Sequence, residues 1–181
     1  RSPLHDAKEN PMPREFDPHS RLWPAPDGRF FPDLTIRHRR QVGGSCVSTC
    51  LSLLSGEDPE LIRHQVNTQD PVSWSAYLRP YGMKLAYCPT DLRRLKHYVP
   101  ELLALDDLFA IGTYSPEEPR EIGAEPDDEG WICSSHLVLL HRGTVHDTRF
   151  EQPCELVRYR DRNRYVKRLF RVVPAGSARG I

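Results

Sequence analysis

The stretch that most constrains this chain runs from Arg40 to Ser55. Two glycines, Gly43 and Gly44, stand directly before Ser45-Cys46, and Val47, Cys50, Leu51 and Leu54 then recur at i, i+3, i+4 and i+7. That recurrence predicts a helix over Cys46–Ser55 with one buried stripe, closed by Gly56 as the residue just past its end. A helix with a single apolar stripe must bury it against another layer, so the rest of the chain has to supply one. The glycines let the backbone turn sharply into the helix and let a ligand approach it closely.

The remaining pattern supplies that layer. Asp58-Pro59-Glu60 predicts a second, short helix with proline at its first position and Leu61, Ile62 and Val66 for the core. Ser73–Tyr81, ended by Gly82, reads as a third helix, and Asp91 is placed to cap a fourth that runs to about Leu105 with Pro100 as an interruption. Strands are expected near 84–88, 108–113, 132–141, 144–148 and 165–173, the third and fourth joined as a hairpin by the tight turn Arg142-Gly143. The fold class is therefore α+β, with an N-terminal helix carrying Cys46 packed on an antiparallel sheet that carries His136 and Asp147. Residues 1–32 hold seven of the seventeen prolines and few aliphatic residues. They read as an extended arm whose aromatics, Phe16, Trp23, Phe30 and Phe31, lie against a single domain of residues 33–181.

Charge narrows the function classes. The 25 Lys and Arg are balanced by 25 Asp and Glu, so no global field recruits nucleic acid or an anionic membrane. No apolar run approaches the roughly 18 residues that a membrane span needs. Arg158–Arg171 holds seven basic residues against one acid. With no stacking motif beside them, these read as the exposed face of an edge strand rather than a nucleic-acid stripe. Residues 114–130 form an acidic, loop-like stretch leading into the His136 strand, which hints at a basic or amine-bearing ligand. The five cysteines (46, 50, 88, 133 and 154) are odd in number and include no Cys-x-x-Cys pair, so neither a structural metal nor a cofactor is expected. Reduced thiols suit the cytoplasm, with delivery as a secreted effector left open. The start, Arg1-Ser2-Pro3-Leu4-His5-Asp6, has no signal-peptide pattern, and without an initial Met the native targeting stays hidden.

Cys46 is where chemistry is expected. A helix N-terminus carries partial positive charge and free N–H groups, which favour thiolate over thiol. Downstream, His136 heads the apolar run Leu137-Val138-Leu139-Leu140, and Asp147 follows the turn. A cysteine nucleophile, a histidine proton carrier and an aspartate orienting the ring make a thiol hydrolase, with Gln41 and the Cys46 N–H as oxyanion donors. Weighed against this, a single cysteine is more often a core residue than a nucleophile. His141 and His146 lie on the same hairpin as alternative bases, and Cys50, one turn inside the helix on the buried stripe, is the alternative nucleophile.

These residues, Gln41, the glycines, Cys46 with its helix, His136 and Asp147, resemble the papain-like cysteine peptidase superfamily. The short His-strand-turn-strand-Asp unit is similar to its compact bacterial branch around the bacteriocin-processing peptidases. The resemblance covers residues 38–56 and 131–150, and the middle by element order alone. Gln41 stands one residue closer to its cysteine than is usual in that superfamily. The Gly-Gly-x-Cys run also resembles arylamine N-acetyltransferases, whose typical sequence after the aspartate is absent, since Thr148-Arg149-Phe150 follows Asp147. The resemblance implies a papain-like fold and a cysteine peptidase or related amide hydrolase acting on a protein or peptide through a thioester. An acyl or amide transferase using the same triad and an inactive papain-like binding protein are the alternatives.

Overall fold

The computed structural model describes residues 20–42, 45–115 and 135–181. Gly43, Gly44, Phe16, Cys133, residues 116–130 of the acidic stretch and the expected strand start at 132–134 lie outside them.

The order of elements follows the sequence pattern. Helix α1 spans Cys46–Ser55 and stops at Gly56, whose φ of 79° and N–H bond to the Ser52 carbonyl make it the left-handed cap. Helix α2, Pro59–Arg63, starts at Asp58, whose carboxylate accepts the Glu60 N–H. Helix α3 covers Pro71–Leu78 and tightens into a 3₁₀ turn over Arg79–Tyr81 before Gly82. The third expected helix is thus two pieces beginning two residues early, because Asp70 caps it by accepting the Val72 N–H. Strand β1, Met83–Tyr87, follows.

Helix α4, Leu95–Leu105, corrects the reading of Asp91 as its cap. Asp91 instead accepts the Tyr98 hydroxyl and pairs with Arg93, and Arg94 stands at the helix start. Pro100 lies within the helix and does not break it. Strands β2 (Leu108–Tyr114), β3 (Ser135–His141), β4 (Thr144–His146), β5 (Cys154–Glu155) and β6 (Tyr165–Pro174) complete the fold.

The six strands form one antiparallel sheet in the order β1-β6-β2-β3-β4-β5. Strand alternation divides its apolar residues between two layers. Leu137, Leu139, Ala110 and Phe170 pack with α1, α2 and α3 through Val47, Leu51, Ile62 and Trp74. Val138, Leu140, Ile111 and Phe109 pack with α4 and with Leu22 and Trp23 of the N-terminal segment. This α+β arrangement of N-terminal helices on an antiparallel sheet is the one the patterning predicts.

The basic segment is the main correction. Strand β6 is not an edge strand: it lies between β1 and β2. Arg171 is fully buried there, with Nε and Nη2 bonded to Asp107 Oδ2 at 2.8 and 2.6 Å. The Trp23 and Phe30 rings cover its guanidinium at 4.8 and 4.4 Å. A charged residue survives inside a sheet when most of its donors are paired and its flat faces are stacked. Here Nη1 is the one buried donor without a hydrogen-bond partner among the described residues, and Asp107, Trp23 and Phe30 are all remote from Arg171 in sequence.

Candidate active site

The first turn of α1 sets the cysteine. Ser45 precedes the helix but offers no side-chain cap; its hydroxyl turns back to the Val42 carbonyl at 3.3 Å. The Val47 N–H is therefore left to act on the Cys46 sulfur, joined by the Leu137 N–H from β3. Enclosure of the sulfur works against ionisation, but the hydrogen bond and charge of the His136 ring, with these two N–H groups, outweigh it and hold the thiol below its ordinary value.

Strand β3 delivers the histidine. His136 is 4% exposed, and its Nε2 lies 2.7 Å from Asp147 Oδ1, which leaves Nδ1 as the ring nitrogen available to Cys46. The β3–β4 register explains how a residue beyond β4 reaches it. Leu139 pairs with His146, the last residue of β4, so the tight hairpin returns the chain to the His136 end of β3 and Asp147, the next residue, reaches that ring. Burial pulls the His136 ring toward the neutral form, yet bonds to Asp147 and Cys46 raise its pKa above the ordinary value. Both shifts run toward the charged forms, as a thiol and an imidazole that face each other favour.

Asp147 is held more firmly than spacing alone implies. Its Oδ1 also accepts the Arg149 backbone N–H at 3.0 Å and Nε at 3.2 Å, and its Oδ2 accepts Arg149 Nη2 at 2.7 Å and the Tyr159 hydroxyl at 2.6 Å. Arg149 bridges onward to Asp161. Burial opposes the charge on Asp147, but His136, Arg149 and Tyr159 keep its carboxyl far below the usual range. The same burial, with Asp147 beside it, drives the Tyr159 phenol well up, so it stays a donor.

The structure thus brings Cys46, His136 and Asp147 together and leaves the alternatives apart. His141 is half-buried and lowered by burial and by Arg142. His146 faces His38, Nδ1 to Nδ1 at 3.2 Å, and burial with that neighbour brings it down to about 4. Cys50 is fully buried one turn below Cys46, its thiol donating to the Leu137 carbonyl at 3.4 Å. Burial, then the negative neighbours Cys46 and Asp147, push it well above an ordinary thiol.

Gln41 lies on the segment that enters α1. Its backbone N–H donates to the Thr148 carbonyl at 2.6 Å, and its Oε1 accepts the Thr148 hydroxyl at 2.7 Å. Arg149, Tyr159, Asp161 and Thr148 were not singled out by sequence reasoning. The signal for Arg149 and Thr148 was their place directly after Asp147; for Tyr159 there was only an aromatic among arginines. Among the described residues, no cluster of three His, Cys, Asp or Glu side chains is placed to hold a metal, and no helix is long and apolar enough to cross a membrane. Compared with known families, the chain matches none, and no curated protein matches it.

Proposed function

We propose that this chain is a papain-like, thiol-dependent amide hydrolase of the cysteine peptidase type. The observation that carries the reading is the continuous relay from Cys46 through His136 to Asp147, with the cysteine pKa lowered and the histidine pKa raised. A structural cysteine needs no such partner: Cys50, on the same helix, has its pKa raised. The fold supports the reading in outline, because the cysteine opens a helix that packs on the sheet holding the histidine and aspartate.

The steps follow from the residues. The Cys46 thiolate attacks the carbonyl carbon of an amide, an S–C bond forms, and the carbonyl π electrons move onto oxygen. The Cys46 N–H at the helix start and the Gln41 amide N–H₂ receive that oxyanion. As the intermediate collapses, the C–N bond breaks and His136 gives its proton to the departing amine. Water, deprotonated by the now neutral His136, then attacks the thioester, and Cys46 leaves as thiolate beside a re-protonated ring. Asp147 keeps the ring oriented and stabilises the imidazolium. Arg149 and Tyr159 keep Asp147 oriented in turn.

The test is a thiol-reactive probe, iodoacetamide, applied to the native chain at neutral pH with each cysteine mapped by mass. Cys46 should label ahead of exposed Cys154, and His136→Ala should abolish that preference. Equal labelling of the two, unchanged by His136→Ala, contradicts the reading. Peptide substrates presented with and without an amine acceptor then show whether water or an amine takes the acyl group.

A further inference from the structure

The segment entering α1 and the loop leaving β4 run side by side, and the ties between them fall at nearly every residue. His38 Nε2 meets the Phe150 carbonyl at 2.7 Å, Arg40 pairs with Glu151 at 2.8 Å, and Gln41 is tied twice to Thr148. Thr148 is fully buried and directly follows Asp147. One end of this loop therefore fixes the ring that carries the proton, and its next residue grips the side chain proposed to receive the oxyanion.

We propose that Thr148 is the positioning residue for the oxyanion donor, setting the Gln41 amide so that the oxyanion site and the proton relay are held by one rigid segment. The proposal rests on the reading of Cys46 as an acyl-accepting nucleophile. A primary amide is planar, so fixing its oxygen restricts where its N–H₂ points. With Oε1 bonded to the Thr148 hydroxyl and the Gln41 backbone bonded to the Thr148 carbonyl, rotation about the last side-chain bond is restrained from both ends. An accepted hydrogen bond at Oε1 also polarises the amide and strengthens its N–H donors. A donor misplaced by an ångström forfeits much of its value at the transition state.

Two reactions at one sulfur separate positioning from mere stability. Alkylation by iodoacetamide forms an S–C bond and expels iodide without any oxyanion. Acylation by p-nitrophenyl acetate forms an S–C bond through a tetrahedral oxyanion and expels p-nitrophenolate. Both are measured on the full chain at Cys46 by peptide mass mapping, with the melting temperature taken on the same preparation. Thr148→Val, which keeps the shape and removes the hydroxyl, should slow acylation about tenfold while alkylation holds. Thr148→Ser should restore acylation, and Thr148→Val added to Gln41→Ala should cost nothing further. If the valine variant does not fold, Thr148→Ala takes its place.

An equal fall in both reactions, no fall in either, or a full additional loss in the Gln41→Ala background overturns the positioning role. Those outcomes leave the nucleophile standing, provided native Cys46 reacts with both reagents. If native Cys46 is neither alkylated nor acylated ahead of Cys154, the proposed function falls and this inference falls with it.

Discussion

The sheet buries two carboxylates against two arginines, at Asp147 and at Asp107, and they are put to different uses. Asp107 shares its Oδ2 between the Nε and Nη2 of Arg171, and the rest of that guanidinium is enclosed by Trp23, Phe30 and the Gly28 carbonyl. Every partner there fastens the N-terminal segment to the sheet. Asp147 meets Arg149 just as closely, but it also spends a lone pair on His136. Arg149 is itself shared with Asp161. What Asp147 has and Asp107 lacks is thus one titratable ring with a thiol on its far side, the feature on which the proposed function rests.

That contrast can be broken at either end, and the largest effect is expected at the sulfur. Cys46→Ala should eliminate turnover while the melting temperature stays close to that of the native chain, since the residue is only half-buried. Cys50→Ala, one turn away, should do the reverse, keeping turnover and losing about 1 kcal/mol from a small buried side chain. Kinetics and a thermal melt on each variant check the pair. Turnover surviving Cys46→Ala would remove the nucleophile from the account.

The two ion pairs come next. Asp107→Asn and Arg171→Leu should each cost about 3 kcal/mol or more, because each strands a buried charged partner, yet leave the rate of Cys46 alkylation per folded molecule unchanged. Asp147→Asn should cost a comparable amount through Arg149 and Tyr159, and in addition slow turnover, less than Cys46→Ala does. Denaturant melts paired with alkylation rates separate them. A loss of alkylation in the Arg171 variant would mean the two pairs are not independent.

Acid should reveal a smaller, graded effect. His146 is buried as the neutral ring, with its pKa down to about 4 from an ordinary 6.5. A folded value below the unfolded one means the stabilisation is complete above the unfolded value and is lost as pH falls from 6.5 toward 4. Stability measured across that window should decline in the native chain and decline less in His146→Gln. Parallel slopes would assign the acid sensitivity to other groups.

What the sequence made legible was local. The bounds of α1, its Gly56 stop, the Asp58-Pro59 start of α2 and the Arg142-Gly143 hairpin all follow from contacts within a few residues, where period and turn chemistry act. The meeting of His136 with Asp147 was legible too, because a tight hairpin brings its two ends within reach. The interior place of β6 was not. Its arginines read as solvent-facing until Asp107 and the Trp23 and Phe30 rings, remote in the chain, are seen to neutralise and cover one of them. Asp91 likewise looked like a cap and was diverted by Tyr98. Within the site, the residues that hold the triad arrive from the loop after β4, and nothing in their spacing reports which side chains they will meet.

The central claim is that Cys46 and His136 ionise as a pair. The pH dependence of Cys46 alkylation, followed by mass at that one residue in the native chain and in His136→Ala, tests it most directly. Because the cysteine is lowered and the histidine raised, the rise in rate with pH should come at lower pH in the native chain than in His136→Ala. Loss of the ring removes the main opposition to the enclosure of the sulfur and should move the rise up, into the alkaline range of a free thiol or beyond it. An alkaline rise in the native chain, identical to that of His136→Ala, would contradict the account.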